Sequence, residues 1–277
     1  MSSTTPPGLE IRPRQLDFDL AQPLPRHWHS GDAFKTHLFN AMSVLFPDGE
    51  RFFIDSVRLH RERIDDPLLK EQIRGFIGQE AHHSREHLEY SQRLRDLGYD
   101  VDYLERGLKR RLAFVQKHLS PQLQLAATCA VEHLTAIMAH ALLTDANWLD
   151  GADPSLARLW RWHALEETEH KAVAFDVFQV ISGSKWLRRR AIIQSTLFFT
   201  LDTLKGLTHM LKRDGLLWNW RVWRDGLTWL WGKNGIYRKL VGQYLDFYRS
   251  DFHPWQHDNL HLVYQYRAEF EPQPRAA

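Results

Sequence analysis

Along this chain apolar residues recur at the three- and four-residue spacing of amphipathic helices, and the interruptions between them divide it into a series of helical segments. Ala33 to Phe46 reads as helix. Pro47-Asp48-Gly49 is expected to interrupt it, and the pattern restarts at Glu50 with Phe53, Ile54 and Val57 on the face that this glutamate shares. Asp66-Pro67 supplies a cap and a first-position proline, which predicts a second helix to about Leu97, stopped by Gly98. The connection that follows carries its own amphipathic piece, Tyr103 to His118. Ser120-Pro121 then opens a third long helix to about Thr144, and Asp153-Pro154 a fourth to about Ile181, before Gly183.

The two ends differ from this middle. Residues 1–30 contain Pro6, Pro7, Pro13, Pro23 and Pro25, a density that excludes a helix and predicts an extended arm, closed by Trp28 and His29. Beyond Gly183 comes an apolar run, Ala191 to Gly206, too short to span a bilayer. Tryptophans then alternate with arginines, Gly226, Gly232 and Gly235 punctuate the run, Tyr237 to Tyr248 reads as one more helix, and a non-helical tail is expected from Phe252. The expected organisation is an arm (1–30), a helical bundle (31–183) and a basic, Trp-rich helical extension packed on the same domain (184–277).

Composition narrows the class. With 277 residues, 43% hydrophobic and 25% charged, the chain is that of an ordinary globular protein able to bury a large core. A formal charge of +2 gives no ground for a nucleic-acid partner. The single cysteine, Cys129, rules out an internal disulfide and suits a reducing compartment. The first fifteen residues lack the apolar core of a secretory signal, so a cytoplasmic location is expected. The departures are sixteen histidines and eleven tryptophans.

The histidines give the candidate chemistry. Glu80 and His83 form one E-x-x-H, and Glu167 and His170 form a second; on a helix, residues three apart lie on one face and both reach one metal. Glu50 precedes the first by 30 residues and Glu132 the second by 35, while 49 residues separate His83 from Glu132. That is two helical hairpins joined by a longer crossover, each giving one glutamate and one Glu/His pair. The expected fold is therefore all-α, a ferritin-like four-helix bundle with one long crossover, carrying two metals in its core. His163, one turn before Glu167, is expected as a further ligand. The carboxylates neutralise and bridge divalent cations, and imidazoles suit iron or manganese; a mixed iron/manganese pair, or zinc, is also compatible. A buried Glu/His network without metal is the alternative. Glu169 points off the ligand face. Thr128, Cys129 and Thr135, near Glu132, are candidates to line a substrate pocket. His87 and Glu166 are candidates to orient ligands, whereas His82, His133 and His140 are each weak.

The blocks Pro25-Arg-His-Trp28, Leu45-Phe-Pro-Asp-Gly-Glu-Arg-Phe-Phe53, Gln79-Glu-Ala-His-His83 and Leu165-Glu-Glu-Thr-Glu-His170 resemble a bacterial family labelled "predicted metal-dependent hydrolase", over nearly the whole chain. The ligand positions, with H-x-x-x-E-x-x-H at His163 to His170, are also similar to those of the di-iron arylamine N-oxygenases. That second likeness implies Glu50, Glu80, His83, Glu132, His163, Glu167 and His170 as metal residues.

The first expectation is an O2-dependent oxidoreductase acting on a small or lipophilic molecule. The alternative is a hydrolase whose metals activate water, and the third a non-catalytic iron-binding protein. The Trp/Arg-rich region either docks on an anionic inner-membrane surface or, more simply, covers the bundle or forms a homodimer interface.

Overall fold

Three helix starts are written into the chain as a cap followed by proline. Asp66 accepts from the backbone N–H groups of Leu68 and Leu69, Ser120 from Leu123, and Asp153 from Ser155 and Leu156, with Pro67, Pro121 and Pro154 leading each helix. The computed structural model describes residues 5–6, 8–20, 22 and 24–271. It is all-α: α1 (Ala33–Arg58), α2 (Pro67–Asp96), α3 (Val101–His118), α4 (Pro121–Thr144), α5 (Pro154–His170), α6 (Val173–Ile181), α7 (Lys185–Arg213), α8 (Trp220–Trp231), α9 (Val241–Asp246) and α10 (Leu260–Phe270). Among the described residues there is no β-strand, only an isolated bridge between His29 and Ala152.

α1 packs along α2 and α4 along α5. α1 also meets α4, and α2 meets α5 and α6, so these helices enclose a common interior. α3 lies in the crossover between α2 and α4, and α7 packs along both α1 and α4. α4 has the length and hydropathy of a membrane-crossing helix, but 78% of its apolar window is buried within the protein, as for a core helix.

Several expectations about individual elements are corrected. Pro47 does not break α1, which runs through it without interruption. A mid-helix proline costs about 3 kcal/mol. Phe39, Met42 and Val44 before it and Phe52, Phe53 and Val57 after it are all buried, each contributing about 1.5–3 kcal/mol, so packing wins. The fourth predicted helix is two, since residues 171–172 form a turn between α5 and α6. There Lys171 donates to the His257 carbonyl at 2.7 Å and to Asn259 Oδ1 at 2.6 Å, over the Trp255 ring. α7 is 29 residues long, well beyond Ala191–Gly206, because Ser184 caps it upstream and Gly206 lets it pass close to α1. A Cβ at Gly206 would lie 2.6 Å from the Ala41 Cβ. Gly226 likewise sits inside α8, against the Phe34 ring, instead of breaking it. Tyr237–Tyr248 is a short 3-10 turn followed by α9, and the expected non-helical tail contains α10.

The described part of the arm has no helix, and Leu9, Phe18, Leu20 and Trp28 are buried in the main apolar cluster. Pro7 and Pro23 lie outside the described residues. The arm crosses α2 where glycines recur three apart: a Cβ on Gly75 would collide with Ile11, and one on Gly78 with Pro13. Trp28 Nε1 anchors its end by donating to Asn40 Oδ1 at 2.9 Å. The Trp-rich region divides. Trp223, Trp229 and Trp255 pack on the core, while Trp218, Trp220 and Trp231 are exposed.

Candidate metal centre

Glu50 comes from α1, Glu80 and His83 from α2, Glu132 from α4, and His163, Glu167 and His170 from α5. The helical spacing read from the sequence is what aims each pair inward, and all seven side chains converge. Their ligand atoms form overlapping groups within 4.8 Å: Glu50, His83 and His163; Glu80, His83 and Glu167; Glu80, Glu132 and His170. His170 Nε2 lies 3.1 Å from Glu80 Oε1, 3.5 Å from Glu132 Oε2 and 3.7 Å from Glu167 Oε2. His163 Nε2 is 3.1 Å from Glu167 Oε1, and His83 Nδ1 is 3.8 Å from the same oxygen. None of the seven side chains is more than 4% exposed as a residue.

Charge balance separates two kinds of buried glutamate. Glu166 and Glu169 are neutralised by arginine. Arg14 Nη1 lies 3.2 Å from Glu166 Oε1, Arg14 Nη2 lies 2.8 Å from Glu169 Oε1, and Arg267 Nε lies 2.7 Å from the latter oxygen. Burial pushes Glu166 up to about 8, with the Arg14 guanidinium pulling the other way. Among the described residues, Glu80, Glu132 and Glu167 have only imidazoles as ion-pair partners, and Glu50 accepts from the Ser84 hydroxyl. Both oxygens of Glu80 and of Glu132, Glu50 Oε1, both ring nitrogens of His83 and His170 Nε2 are buried without a hydrogen bond. Native interiors seldom leave such groups unsatisfied, and four carboxylates without cations are far too costly to bury. The donor set fits divalent metal.

The electrostatics carry the same message. Burial and the neighbouring Glu80 hold Glu50 well above the usual carboxylate range, burial and Glu167 do so for Glu132, and burial raises Glu80. Burial would raise Glu167 too, but His170 and His163 outweigh it and hold that carboxyl well below its ordinary value. Burial and the neighbouring His163 keep His83 neutral.

Around the ligands, a second layer fixes their orientation. Gln79 Oε1, which can only accept, lies 2.8 Å from His170 Nδ1. Nδ1 therefore carries a proton, and Nε2 is the nitrogen that faces Glu80 and Glu132. Against burial, Glu167, Glu80 and Glu132 hold the His170 pKa well above its ordinary value, so without metal Nε2 is protonated too, and a metal would take the place of that proton. His87 Nε2 lies 2.9 Å from His163 Nδ1, and its Nδ1 lies 2.8 Å from Ser43 Oγ. Ser84 Oγ donates to Glu50 Oε2 at 3.0 Å, and Thr135 Oγ1 donates to Glu167 Oε2. Thus His87 and Thr135 stand beside the ligands. Glu166 Oε2 lies 3.2 Å from His83 Nε2.

Thr128 and Cys129 do not line the cavity at the site. Thr128 is hydrogen-bonded to Ser56 at 2.7 Å, and Cys129, about one turn before Glu132, is buried in an apolar cluster. His133 turns toward the Gln243 carbonyl and Phe247. His82 and His140 are half-buried and outside the ligand groups. Gln79 was missed by sequence reasoning, although it sits directly before the first E-x-x-H.

His27, His37 and Asp214 also lie within 4.8 Å of one another. Here both carboxylate oxygens are engaged, by Arg26, Tyr99, His27 and His37, at 2.6–3.1 Å. The Arg26 guanidinium pairs with Oδ1 while both imidazoles bond directly to Oδ2, so the cluster is a clamp between the arm, α1 and the end of α7.

A cavity of about 340 Å³ reaches the ligand group, with Glu50, Thr135, His163 and Glu167 in its wall and apolar side chains over most of the remainder.

A model of the family described as "predicted metal-dependent hydrolase" matches residues 12–258, and the chain belongs to that family. No curated protein and no solved structure matches it.

Proposed function

We propose that this member of the predicted metal-dependent hydrolase family is a hydrolase that holds two divalent metal ions between α1, α2, α4 and α5. Glu50, His83, His163 and Glu167 would hold one ion, and Glu80, Glu132 and His170 the other. One observation carries the reading: seven buried ligand side chains whose donor atoms are largely without partners, at the end of a cavity that admits substrate. One glutamate from each of two helices and an E-x-x-H from each of two others also supports a ferritin-like di-metal arrangement.

Bound there, the metals would lower the pKa of a water and polarise a carbonyl or phosphoryl oxygen. The chain's own residues supply the positioning. Glu50 and Glu167 are the carboxylates that line both site and cavity, so they meet substrate and water. Ser84 holds Glu50 by Oε2 and leaves Oε1 as the oxygen that would face the metal. Thr135 fixes Glu167, Gln79 fixes His170, and His87 fixes His163. Phe46, Phe52 and Phe53 line the cavity beside the site and restrict bulk water there.

The O2-dependent oxidoreductase expected from the ligand pattern is not what the family match favours, and the likeness to arylamine N-oxygenases extends only to ligand positions. It stands second, on the observation that four carboxylates with imidazoles also suit iron or manganese. Metal analysis of freshly purified protein, with a panel of esters, amides and phosphoesters, tests the first reading. Zinc or another redox-inert metal with turnover supports it. Iron with no hydrolytic turnover, and absorbance changes when the reduced protein meets O2, would transfer the case to the second. Full metal content in both Glu80→Ala and Glu167→Ala would overturn the site itself.

A further inference from the structure

The cavity says more about the substrate than the ligand group does. Its buried end is formed by Glu50, Thr135, His163 and Glu167, and its outer end by side chains that are exposed: Phe114 at 58% and Leu119 at 38% from the end of α3 and the loop after it, and Phe198 at 42% with Arg190 from α7. Between these ends the wall is apolar, drawn from Leu112 and Val115 on α3, Ala127 and Val131 on α4 and Ala191 on α7. At about 340 Å³ it falls within the roughly 300–1,000 Å³ range of small-molecule sites. Few polar groups interrupt the passage. Arg111 is already paired with Asp202 and stacked on the Phe198 ring, 4.6 Å from its centroid. A polar or heavily hydroxylated substrate would be stripped of water along this wall without compensation.

We propose that the cavity binds the long apolar chain of an amphiphilic substrate, a fatty-acyl compound, with the reactive polar group held innermost at Glu50 and Glu167 and the chain running outward between α3 and α7. Burial sets that direction: Glu50, Thr135, His163 and Glu167 are the buried polar groups of the wall, whereas Arg190, Gln194, Ser195 and the Arg111–Asp202 pair stand toward the mouth on α3 and α7, where solvent reaches them. The apolar surface continues past the mouth: Ile193, Leu197 and Leu201, all on α7, are 56%, 54% and 51% exposed. A chain longer than the cavity would therefore still lie on apolar surface as it emerges.

This proposal deepens the hydrolase reading, and its test separates the two. Butyrate, octanoate, dodecanoate and palmitate are titrated into metal-free and zinc-loaded protein, with displacement of a fluorescent apolar dye as readout and metal content measured in parallel. Affinity should rise about fourfold per added methylene and level off once the cavity is filled. Ala127→Phe and Leu112→Trp, which fill the wall away from the ligands, should each flatten that dependence and leave metal content and helical circular dichroism unchanged. Two variants are used so that one misfolded protein does not remove the test. Chain-length dependence without any metal binding would overturn the hydrolase reading and leave the acyl site standing. Affinity independent of chain length, or unchanged in both folded variants, would overturn the acyl site whatever the metal content.

Discussion

Gln79 accepts from His170 Nδ1 through its Oε1 at 2.8 Å and, through its Nε2, donates to Glu169 Oε2 at 2.6 Å. The amide thus cannot flip without losing both bonds: its orientation is set by a carboxylate that two arginines hold in place. One turn of α5 carries both Glu169 and His170, so the charge on one face of that turn fixes the imidazole on the other.

Removing that bond should loosen the metal without touching a ligand. Gln79→Leu is expected to weaken metal affinity by about 10–100-fold, as for other residues that orient ligating imidazoles. Competition with a chromogenic chelator measures it. Affinity equal to wild type in a folded variant would show that His170 does not depend on Gln79.

The four inner carboxylates should make the metal-free protein less stable than a neutralised one. Both oxygens of Glu132 are unpartnered, and burial raises its pKa well above the ordinary range. Glu132→Gln keeps the shape and removes the charge. A gain of about 1 kcal/mol in the metal-free state would raise Tm by about 2–4 °C, while the Tm increase on adding metal should largely vanish. Thermal melts with and without zinc read both effects, and a lower Tm for the metal-free variant would count against an unbalanced carboxylate cluster.

The arm should be held by charge as well as by packing. Arg14 is 7% exposed, and its guanidinium serves Glu166 and Glu169, both fully buried. Arg14→Met leaves these carboxylates with one cation fewer and is expected to destabilise the fold by about 3 kcal/mol. Adding Glu166→Gln should recover part of that loss, since Glu169 keeps Arg267 and the carboxyl left without an arginine is then gone. Urea denaturation of the single and double variants decides this. A single variant within 0.5 kcal/mol of wild type, on the order of a surface change, would show the ion pairs to be dispensable.

What could be read in the sequence follows from the range of the forces involved. Asp66-Pro67, Ser120-Pro121 and Asp153-Pro154 are local signals, and they placed α2, α4 and α5 closely. The E-x-x-H pairs depend only on helical spacing, so the structure brings their four residues together with Glu50, Glu132 and His163. The turn after His170 has no glycine or proline to announce it; it follows the hydrogen bonds that Lys171 makes to residues 86 and 88 positions away. Gly206 read as the end of an apolar run and Gly226 as a breaker, yet each is a point of close approach inside a helix, to Ala41 and Phe34. The pairing of Glu169 with Arg14, 155 positions apart, made Gln79 invisible as a positioning residue. The cavity wall joins α3, α4 and α7, which share no motif.

Acid should unfold the protein through its histidines before most of its carboxylates matter. His133 is 3% exposed, with Nε2 placed 3.1 Å from the Gln243 carbonyl and its ring stacked on Phe247 at 4.5 Å. Burial, with the nearby His257, holds its pKa down to about 3 from an ordinary 6.5. Because the folded value lies below the unfolded one, the unfolded chain binds the extra proton between them. The stability that neutral His133 contributes is therefore complete above pH 6.5 and is lost as pH falls from there toward 3. At pH 5 the loss from this one group is about 2 kcal/mol. His133→Phe keeps the stacking and cannot titrate; its baseline stability at pH 8 should be lower, because the Gln243 carbonyl loses its donor. Between pH 8 and pH 5 it should nonetheless lose about 2 kcal/mol less than wild type in urea titrations. Parallel pH profiles for the two proteins would place the acid sensitivity elsewhere, among the other buried imidazoles such as His29 and His37, which burial also holds below their ordinary values.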